Sequence, residues 1–452
     1  MNMKSYPLLP PTLIRKRRIQ LLTLPSQERF LRCQAPKKGF SGPVGSGKTV
    51  ALGYQTLLSA ERNPNCTGLL GAPTYPMLRD VVIKTLREIL DEKQILYDFH
   101  KSEQVLTLPH SNSRNLFRSL ERYENLRGPN LAWVGVDELT YCHPEAWLRL
   151  EARVRDPRAK QLLMFAGWTP KGFDWVYRRF ISPQDKLPGH EAILARAGEN
   201  VKILLRQPDY YNQLKASYDD LLYRQEALGE YLNTQTGRVY HAYSEANEVA
   251  DLRFVPQVGL FWALDFNVDP MTAVIAQYVN GRFHVLEEIY LRNSNTELMC
   301  ERFEERARFY LEKYQAENGG LPLPITIHGD ATGHARSTSS KTDYDLIREY
   351  FRGKGQFRID FNYPPSNPSV KDRVNSVNAV LKNAGQQIKV YVHPSCKELI
   401  TDFYEVSWKQ GPVNFELDKA TDRKRTHLSD AFGYLVWRVA PINAFRRKHD
   451  TN

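Results

Sequence analysis

Eight consecutive residues, Gly42-Pro43-Val44-Gly45-Ser46-Gly47-Lys48-Thr49, fit the pattern G-x-x-x-x-G-K-T. Its glycines let backbone N–H groups turn inward around phosphate oxygens. Lys48 then reaches the β- and γ-phosphates and Thr49 offers a hydroxyl to magnesium. A helix starting near Lys48 presents its N-terminus, where the backbone dipole favours anions. Such a loop needs an acid at the end of a nearby strand. The apolar run Ala132–Val136 ends in Asp137-Glu138, so one carboxylate is available to the same magnesium and the next to orient or deprotonate water. A further apolar run, Gln161–Ala166, leaves through Gly167-Trp168-Thr169-Pro170, which sets the Thr169 hydroxyl where a γ-phosphate sensor would sit. Arg79 and Arg127 are candidate cations for transition-state charge, and Gln27 is a candidate for reading an adenine edge. Together these residues predict a site for ATP and Mg2+.

A second set lies in the C-terminal half: Asp265, Asp330 and Asp430, with His427 three residues before Asp430 and so on the same helix face. Two Mg2+ or Mn2+ ions about 4 Å apart can activate water and stabilise the leaving oxygen of a phosphodiester, and carboxylates suffice to hold them. An acid on strand one of a three-strand meander, another ending strand four and a third on a final helix is the RNase H-like order. His427 is a candidate ligand or proton relay. Glu287 and Glu288 fall on opposite faces of a strand, with solvent exposure expected for both. Asp269 suits the turn before Pro270. Lys371 and Arg373, opening a helix, are candidates for phosphate contact or for a solvated helix face.

The elements that must position these residues follow from periodicity. Between about 38 and 180, short apolar runs such as Gly68–Ala72 alternate with helical stretches such as Met77–Asp91, which implies a mostly parallel sheet with helices on both faces. From about 200 to 245 the spacing is helical, as in Tyr210–Tyr231. Beyond Val258 come β-rich runs at 260–265, 271–279 and 282–291, the last two joined by Asn280-Gly281, a strong hairpin signal. A helix (296–317), a strand ending at Asp330, a helix (370–382), a short strand (388–392) and two helices complete the pattern. The fold class is thus α/β, in two large parts.

Composition agrees. With 452 residues, 42% hydrophobic and 11% aromatic, the chain has core material for more than one domain and is too apolar for a disordered protein. Lysine and arginine exceed acids by 62 to 51, a net charge of +11 that suits a polyanionic partner, with no dominant basic block. Five scattered cysteines show no metal-ligand spacing and are expected to be reduced core residues. No run approaches a membrane span, and the basic, Pro-rich Met1–Arg18 lacks the apolar core of a signal peptide, so a soluble, non-secreted protein is expected.

The joint pattern resembles the large terminase subunits of tailed bacteriophages, motor-nucleases that package DNA into procapsids. The resemblance runs from about Leu22 to Val439. It rests on Gly42–Thr49, Ala72-Pro73-Thr74-Tyr75, Asn125-Leu126-Arg127-Gly128 before Val136-Asp137-Glu138, Thr169–Tyr177, Glu226–Tyr231 with Gly237–Tyr240, and then Asp265, Asp330, His427 and Asp430. It implies that Lys48, Asp137 and Glu138 drive hydrolysis, that Arg127 is similar to the family's trans-acting arginine, and that Thr169 belongs to the coupling motif. Asp265, Asp330 and Asp430 would bind nuclease Mg2+ or Mn2+, the third position varying between aspartate and histidine in the family. The phosphate loop is regular, unlike the deviant loops of many relatives.

The implied organisation is a P-loop ATPase domain (1–195), a helical linker (196–250), an RNase H-like nuclease domain (251–440) and a basic tail (441–452). The implied partners are double-stranded DNA, a portal protein, a small terminase subunit and further copies in a ring on the portal. The expected location is the host bacterial cytoplasm, with transient docking on the procapsid and no membrane. Two other classes compete: a repair-type translocase or helicase with a fused nuclease, and a portal-docking structural protein with vestigial acids. The first would carry helicase motifs after Thr169, and none is found.

Overall fold

In chain order the first sheet contains β1 (Lys37–Ser41), β2 (Thr67–Ala72), β3 (Asp98–His100), β4 (Val105–Leu108), β5 (Ser113–Ser119), β6 (Trp133–Val136), β7 (Leu163–Trp168) and β8 (His190–Leu194). The computed structural model describes residues 21–126, 128, 130–232, 237–334, 341–409, 417–418 and 425–442. Spatial order is β3-β4-β5-β2-β6-β7-β1-β8. All pairs from β5 to β8 are parallel, while β3 and β4 add an antiparallel edge. Every residue of β6 and β7 is buried, which is why they read as continuous apolar runs and not as alternation. Strands β3 to β5 and the edge strand β8 carry weaker apolar signals and are not among the expected strands.

Register places the loops. Ser41 of β1 is opposite Trp168 of β7, and Val136 of β6 is opposite Ala166 of β7. The chain therefore leaves three neighbouring parallel strands at nearly one level, into Gly42, Asp137 and Thr169. Helix Lys48–Arg62 packs behind the loop, and Gly53 lets it approach the following helix, since a Cβ there would lie 2.6 Å from Ile89 Cδ1.

The second sheet contains β9 (Leu260–Asp265), β10 (Met271–Val279), β11 (Arg282–Leu291), β12 (Leu323–Gly329), β13 (Phe357–Phe361) and β14 (Val390–Val392) in the order β13-β12-β9-β10-β11-β14. β9, β10 and β11 form the expected antiparallel meander, and Asn280 and Gly281 both have positive φ, as a type I′ hairpin turn requires. β12 runs parallel to β9 with Gly329 opposite Leu264, so Asp265 and Asp330 end adjacent strands side by side. The final helix, His427–Val439, buries Leu428, Ala431, Phe432, Leu435 and Val436 at helical spacing against this sheet. Helix Asp343–Phe351 and β13 lie in a stretch that periodicity leaves unassigned.

The two sheets belong to separate compact units, one within Met1–Pro208 and Arg224–Leu232, the other within Asp209–Tyr223 and Asn233–Asn452. The stretch 196–250, expected as one helical linker, is thus shared between them: periodicity reports local conformation and not which core each turn packs on. Cys66, Cys142, Cys300 and Cys396 are buried free thiols, and Cys33 is half-buried. No helix among the described residues is long and apolar enough to cross a membrane.

Gly39 tests the packing beneath the phosphate loop. A Cβ there would lie 2.0 Å from Cη2 of the fully buried Trp168 ring. Gly39→Ala is expected to cost about 1–3 kcal/mol through overpacking, read as a fall of several degrees in a calorimetric melting midpoint. An unchanged midpoint would contradict that packing.

Candidate functional site

The loop between β1 and helix Lys48–Arg62 turns through Gly45 and Gly47, whose φ values of 77° and 80° lie in the left-handed region. Lys48 is buried and folded back onto the loop. Its Nζ donates to the carbonyls of Gly42 and Pro43 at 3.1 Å each and lies 3.9 Å from Glu138 Oε1. Thr49 Oγ1 donates to Asp137 Oδ2 at 2.8 Å. Burial and the Glu138 charge push the Asp137 carboxyl up to about 7, while the Thr49 hydroxyl and Lys48 pull it down. A hydroxyl and a buried carboxylate meeting at this distance are hard oxygen donors that suit a magnesium ion.

Glu138 adopts φ 48°, a left-handed conformation that costs a non-glycine residue about 1 kcal/mol or more. The turn directs its carboxylate to Thr169, which donates from its backbone N at 3.3 Å and from Oγ1 at 3.4 Å. Expected as a γ-phosphate sensor, Thr169 is thus hydrogen-bonded to the acid that would handle water. Thr140 Oγ1 ties the same turn to the Thr169 carbonyl at 3.3 Å. Beside these groups opens a pocket lined by Thr49, Ala72, Pro73, Met77, Asp137 and Glu138.

Gln27, expected to read a base, is engaged with the loop: Nε2 donates to Gly47 O at 2.9 Å, and Oε1 accepts from Leu24 N at 2.9 Å. Arg79 pairs with the adjacent Asp80 at 2.5 Å on the surface. Arg127 lies outside the described residues. Several contacts escape a reading of the sequence because they run through backbone atoms or small polar side chains. Asn200 Nδ2 donates to Gly45 O at 2.6 Å, Val44 N donates to Glu226 O at 2.8 Å, and Tyr231 Oη meets Ser41 Oγ at 2.6 Å and Trp168 Nε1 at 2.8 Å.

In the second unit Asp265, Asp330 and Asp430 are all buried. Asp265 Oδ2 accepts from Asn267 Nδ2 at 2.5 Å and from His427 Nδ1 at 2.8 Å. Asp430 Oδ1 accepts from Arg373 Nη2 at 2.6 Å. The Tyr434 phenol is raised by burial, lowered by Arg373, and raised again by the charges of Asp430, Asp330 and Asp265, so all three acids bear on one ring. Yet among the described residues no three His, Cys, Asp or Glu side chains form a group that could hold a metal ion. Of the expected set Asp265, Asp330, His427 and Asp430, His427 meets Asp265, Asp330 ends the strand beside it, and Asp430 meets Arg373. The oxygen donors suit Mg2+ or Mn2+ by type. Arg373 is buried, not on a solvated helix face. Neither Glu287 nor Glu288 is simply solvated: Glu287 accepts from Tyr310 Oη at 2.6 Å, and Glu288 accepts from the backbone N of Glu398 and Leu399 at 3.0 and 2.8 Å.

A phosphate loop after β1 and an acid pair after β6, parallel strands on either side of β7, carried on one chain with a mixed sheet whose buried acids end adjacent strands, are the features of an ATPase joined to an RNase H-like nuclease. Residues 40–245 match the family model for the N-terminal part of the T4likevirus-type terminase large subunit, and residues 262–438 match that for the terminase RNaseH-like domain. The chain belongs to the terminase large-subunit family. Among solved structures it is similar to the large terminase from a thermophilic bacteriophage, at 15% identity and a TM-score of 0.62, covering 92% of this chain and 98% of that one. The same relative's complexes with ADP and with ATP-gamma-S align equally well, over 99% of their chains. At this identity the likeness bears on the fold. No curated protein sequence matches the chain.

The Gln27 contacts give a discriminating expectation. Gln27→Ala removes a hydrogen bond to the loop, worth about 1 kcal/mol, and should weaken ATP and GTP binding alike, by up to about tenfold. Isothermal titration showing a loss confined to ATP would return Gln27 to base reading.

Proposed function

We propose that this terminase subunit hydrolyses ATP with Lys48, Thr49, Asp137, Glu138 and Thr169 to drive double-stranded viral DNA into procapsids, and cuts concatemeric DNA with Asp265, Asp330 and Asp430. The observation that carries the motor reading is the level exit of β1, β6 and β7, with Thr49 2.8 Å from Asp137. Gly42, Pro43, Val44, Gly45, Ser46 and Gly47 form the loop around the phosphates, with backbone N–H groups supplied from Gly45 onward, since Pro43 has none and Val44 N donates to Glu226 O. Lys48 exchanges its two loop carbonyls for the β- and γ-phosphates. Asp137 and Thr49 hold the ATP magnesium, which supplies charge neutralisation at the transferred phosphoryl. Glu138 takes the proton of the attacking water, and Thr169 holds the Glu138 carboxylate until then. Arg127 adds a cation from the same or a neighbouring subunit. The nucleotide complexes of the thermophilic-phage relative support ATP as the ligand.

In the nuclease half, Asp265, Asp330 and Asp430 would hold divalent metal, which would supply an activated water and a stabilised leaving oxygen. His427 orients Asp265 through its ring N–H and is positioned to relay a proton. By role we divide the chain into an ATPase part at 1–195, a connecting part at 196–250 whose residues fall in both compact units, a nuclease part at 251–440 and a tail at 441–452. A portal protein, a small terminase subunit and a ring of copies are the partners we assign, with work in the host cytoplasm and transient docking on the procapsid. A repair translocase with a fused nuclease is not favoured, since both halves match terminase models.

The test compares two variants of the full chain. Lys48→Ala should lower ATPase on the order of a hundredfold or more and stop packaging while plasmid cutting in Mg2+ or Mn2+ persists. Asp265→Asn should abolish cutting and leave ATPase intact. ATP turnover at the wild-type rate in the first, or cutting in the second, would overturn the corresponding assignment.

A further inference from the structure

The two residues of the phosphate loop with left-handed φ, Gly45 at 77° and Gly47 at 80°, are also two whose carbonyls are gripped by side-chain amides from outside the loop. Asn200 Nδ2 donates to Gly45 O at 2.6 Å. Gln27 Nε2 donates to Gly47 O at 2.9 Å, beside the first helical bond from Ala51 N at 3.0 Å. The carbonyl and N–H of a trans peptide point opposite ways, so holding these carbonyls outward turns the N–H groups of Ser46 and Lys48 inward. Ser46 N and Lys48 Nζ already converge on one oxygen, Pro43 O, at 3.2 and 3.1 Å.

The residues next to the two amides are joined to each other. Glu199 accepts from Ser26 N and, at 2.5 Å, from Ser26 Oγ, which in turn receives Arg29 Nη2 at 3.0 Å. Helix Pro25–Arg32 begins after Leu24, which has no polar side chain to cap it, and a carboxylate 173 positions away does so instead. Ser26 and Gln27 are buried. Burial opposes the Glu199 charge, but the Ser26 hydroxyl and amide, the Arg196 amide and Arg29 outweigh it and hold the carboxyl below its ordinary value. A helix cap alone would account for Glu199. It does not account for the next residue on each side, Gln27 after Ser26 and Asn200 after Glu199, holding one left-handed glycine apiece. The same turn after β8 lays Ala195 against Gly42, where a Cβ would lie 2.8 Å from Ala195 Cβ.

We propose that Glu199 and Asn200 are positioning residues for nucleotide binding: Asn200 and Gln27 are two jaws on the phosphate loop, and the Glu199–Ser26 contact locks them to each other, so the loop has its phosphate-binding shape before nucleotide arrives. Glycine has the most conformational freedom to lose. A loop without the clamp would have to order Gly45 and Gly47 on binding and would bind more weakly. The part of the ligand this serves is the phosphate chain and not the base.

The proposal rests on the ATPase reading above, and the experiment separates the two. Binding of ATP, ADP and inorganic tripolyphosphate to the full chain is measured calorimetrically, with kcat and KM for ATP alongside. Glu199→Ala and Asn200→Ala should each weaken all three ligands by a common factor of about tenfold, raise KM to match and lower kcat by less than about threefold. Adding Glu199→Ala to a Gln27→Ala, Asn200→Ala double variant should weaken ATP by less than about twofold further, because Glu199 acts through those amides. A full further loss in that background would overturn the clamp. Unchanged binding in both single variants, while the wild type turns over ATP, would overturn it too and leave the ATPase reading standing. So would a loss confined to ATP and ADP with tripolyphosphate spared, which would assign Asn200, whose Oδ1 is buried with no hydrogen-bond partner among the described residues, to the nucleoside. No nucleotide binding and no turnover in the wild type would overturn both. Where one single variant does not fold, the other decides.

Discussion

Parallel strand pairing is the constraint on which both active centres depend. Antiparallel neighbours send their chain ends in opposite directions, whereas parallel neighbours in matched register deliver consecutive loops to one edge. In the first sheet this brings residues 42, 137 and 169 together, because Ser41 faces Trp168 and Val136 faces Ala166. In the second it sets Asp265 beside Asp330 through the pairing of Gly329 with Leu264. The hydrogen bonds themselves are generic. What makes the register definite is its coupling to side-chain direction, since a slip of one residue would turn every side chain of the strand to the opposite face.

Buried charge then determines the details. Three sealed carboxylates have found compensation: Asp137 the Thr49 hydroxyl, Asp430 the Arg373 guanidinium, Asp265 the His427 ring and Asn267. Asp402 does the same at the start of the final helix, accepting from Ser429 N at 3.1 Å with Arg425 3.6 Å away. Burial pushes Asp402 up to about 6, against those contacts. Such a cap fixes where the helix begins, and with it the direction from which Asp430 enters the centre.

The ATPase centre also places its reactive group where the backbone is least ordinary. Glu138 holds a left-handed φ directly after a fully buried strand and Asp137, and its carboxylate is received by two donors of Thr169. The strain is local and the surrounding contacts over-determine it, since Thr140 binds the Thr169 carbonyl from the same turn. In the role we propose for Glu138, an acid held this way is pre-positioned before nucleotide arrives, which removes an ordering cost from the chemical step.

Much of this was legible in the sequence, and the division has a physical cause. The phosphate loop, Asp137-Glu138, the meander with its Asn-Gly turn and the order of the nuclease acids are short-range patterns, in which residue type and spacing alone carry the chemistry. The same holds for the buried strands β2, β6 and β7, whose apolar runs needed no partner to be recognised. Strands β3 to β5, helix Asp343–Phe351 and the sharing of 196–250 between two units were not legible, because their stability comes from what they pack on. The decisive contacts within the sites are long-range as well. Gln27 holding Gly47, Asn200 on Gly45 and Arg373 on Asp430 join residues 20, 155 and 57 positions apart. Sequence alone determined which groups could react; tertiary structure decided which neighbour each buried polar group found, because only folding removes the water that would otherwise have satisfied it.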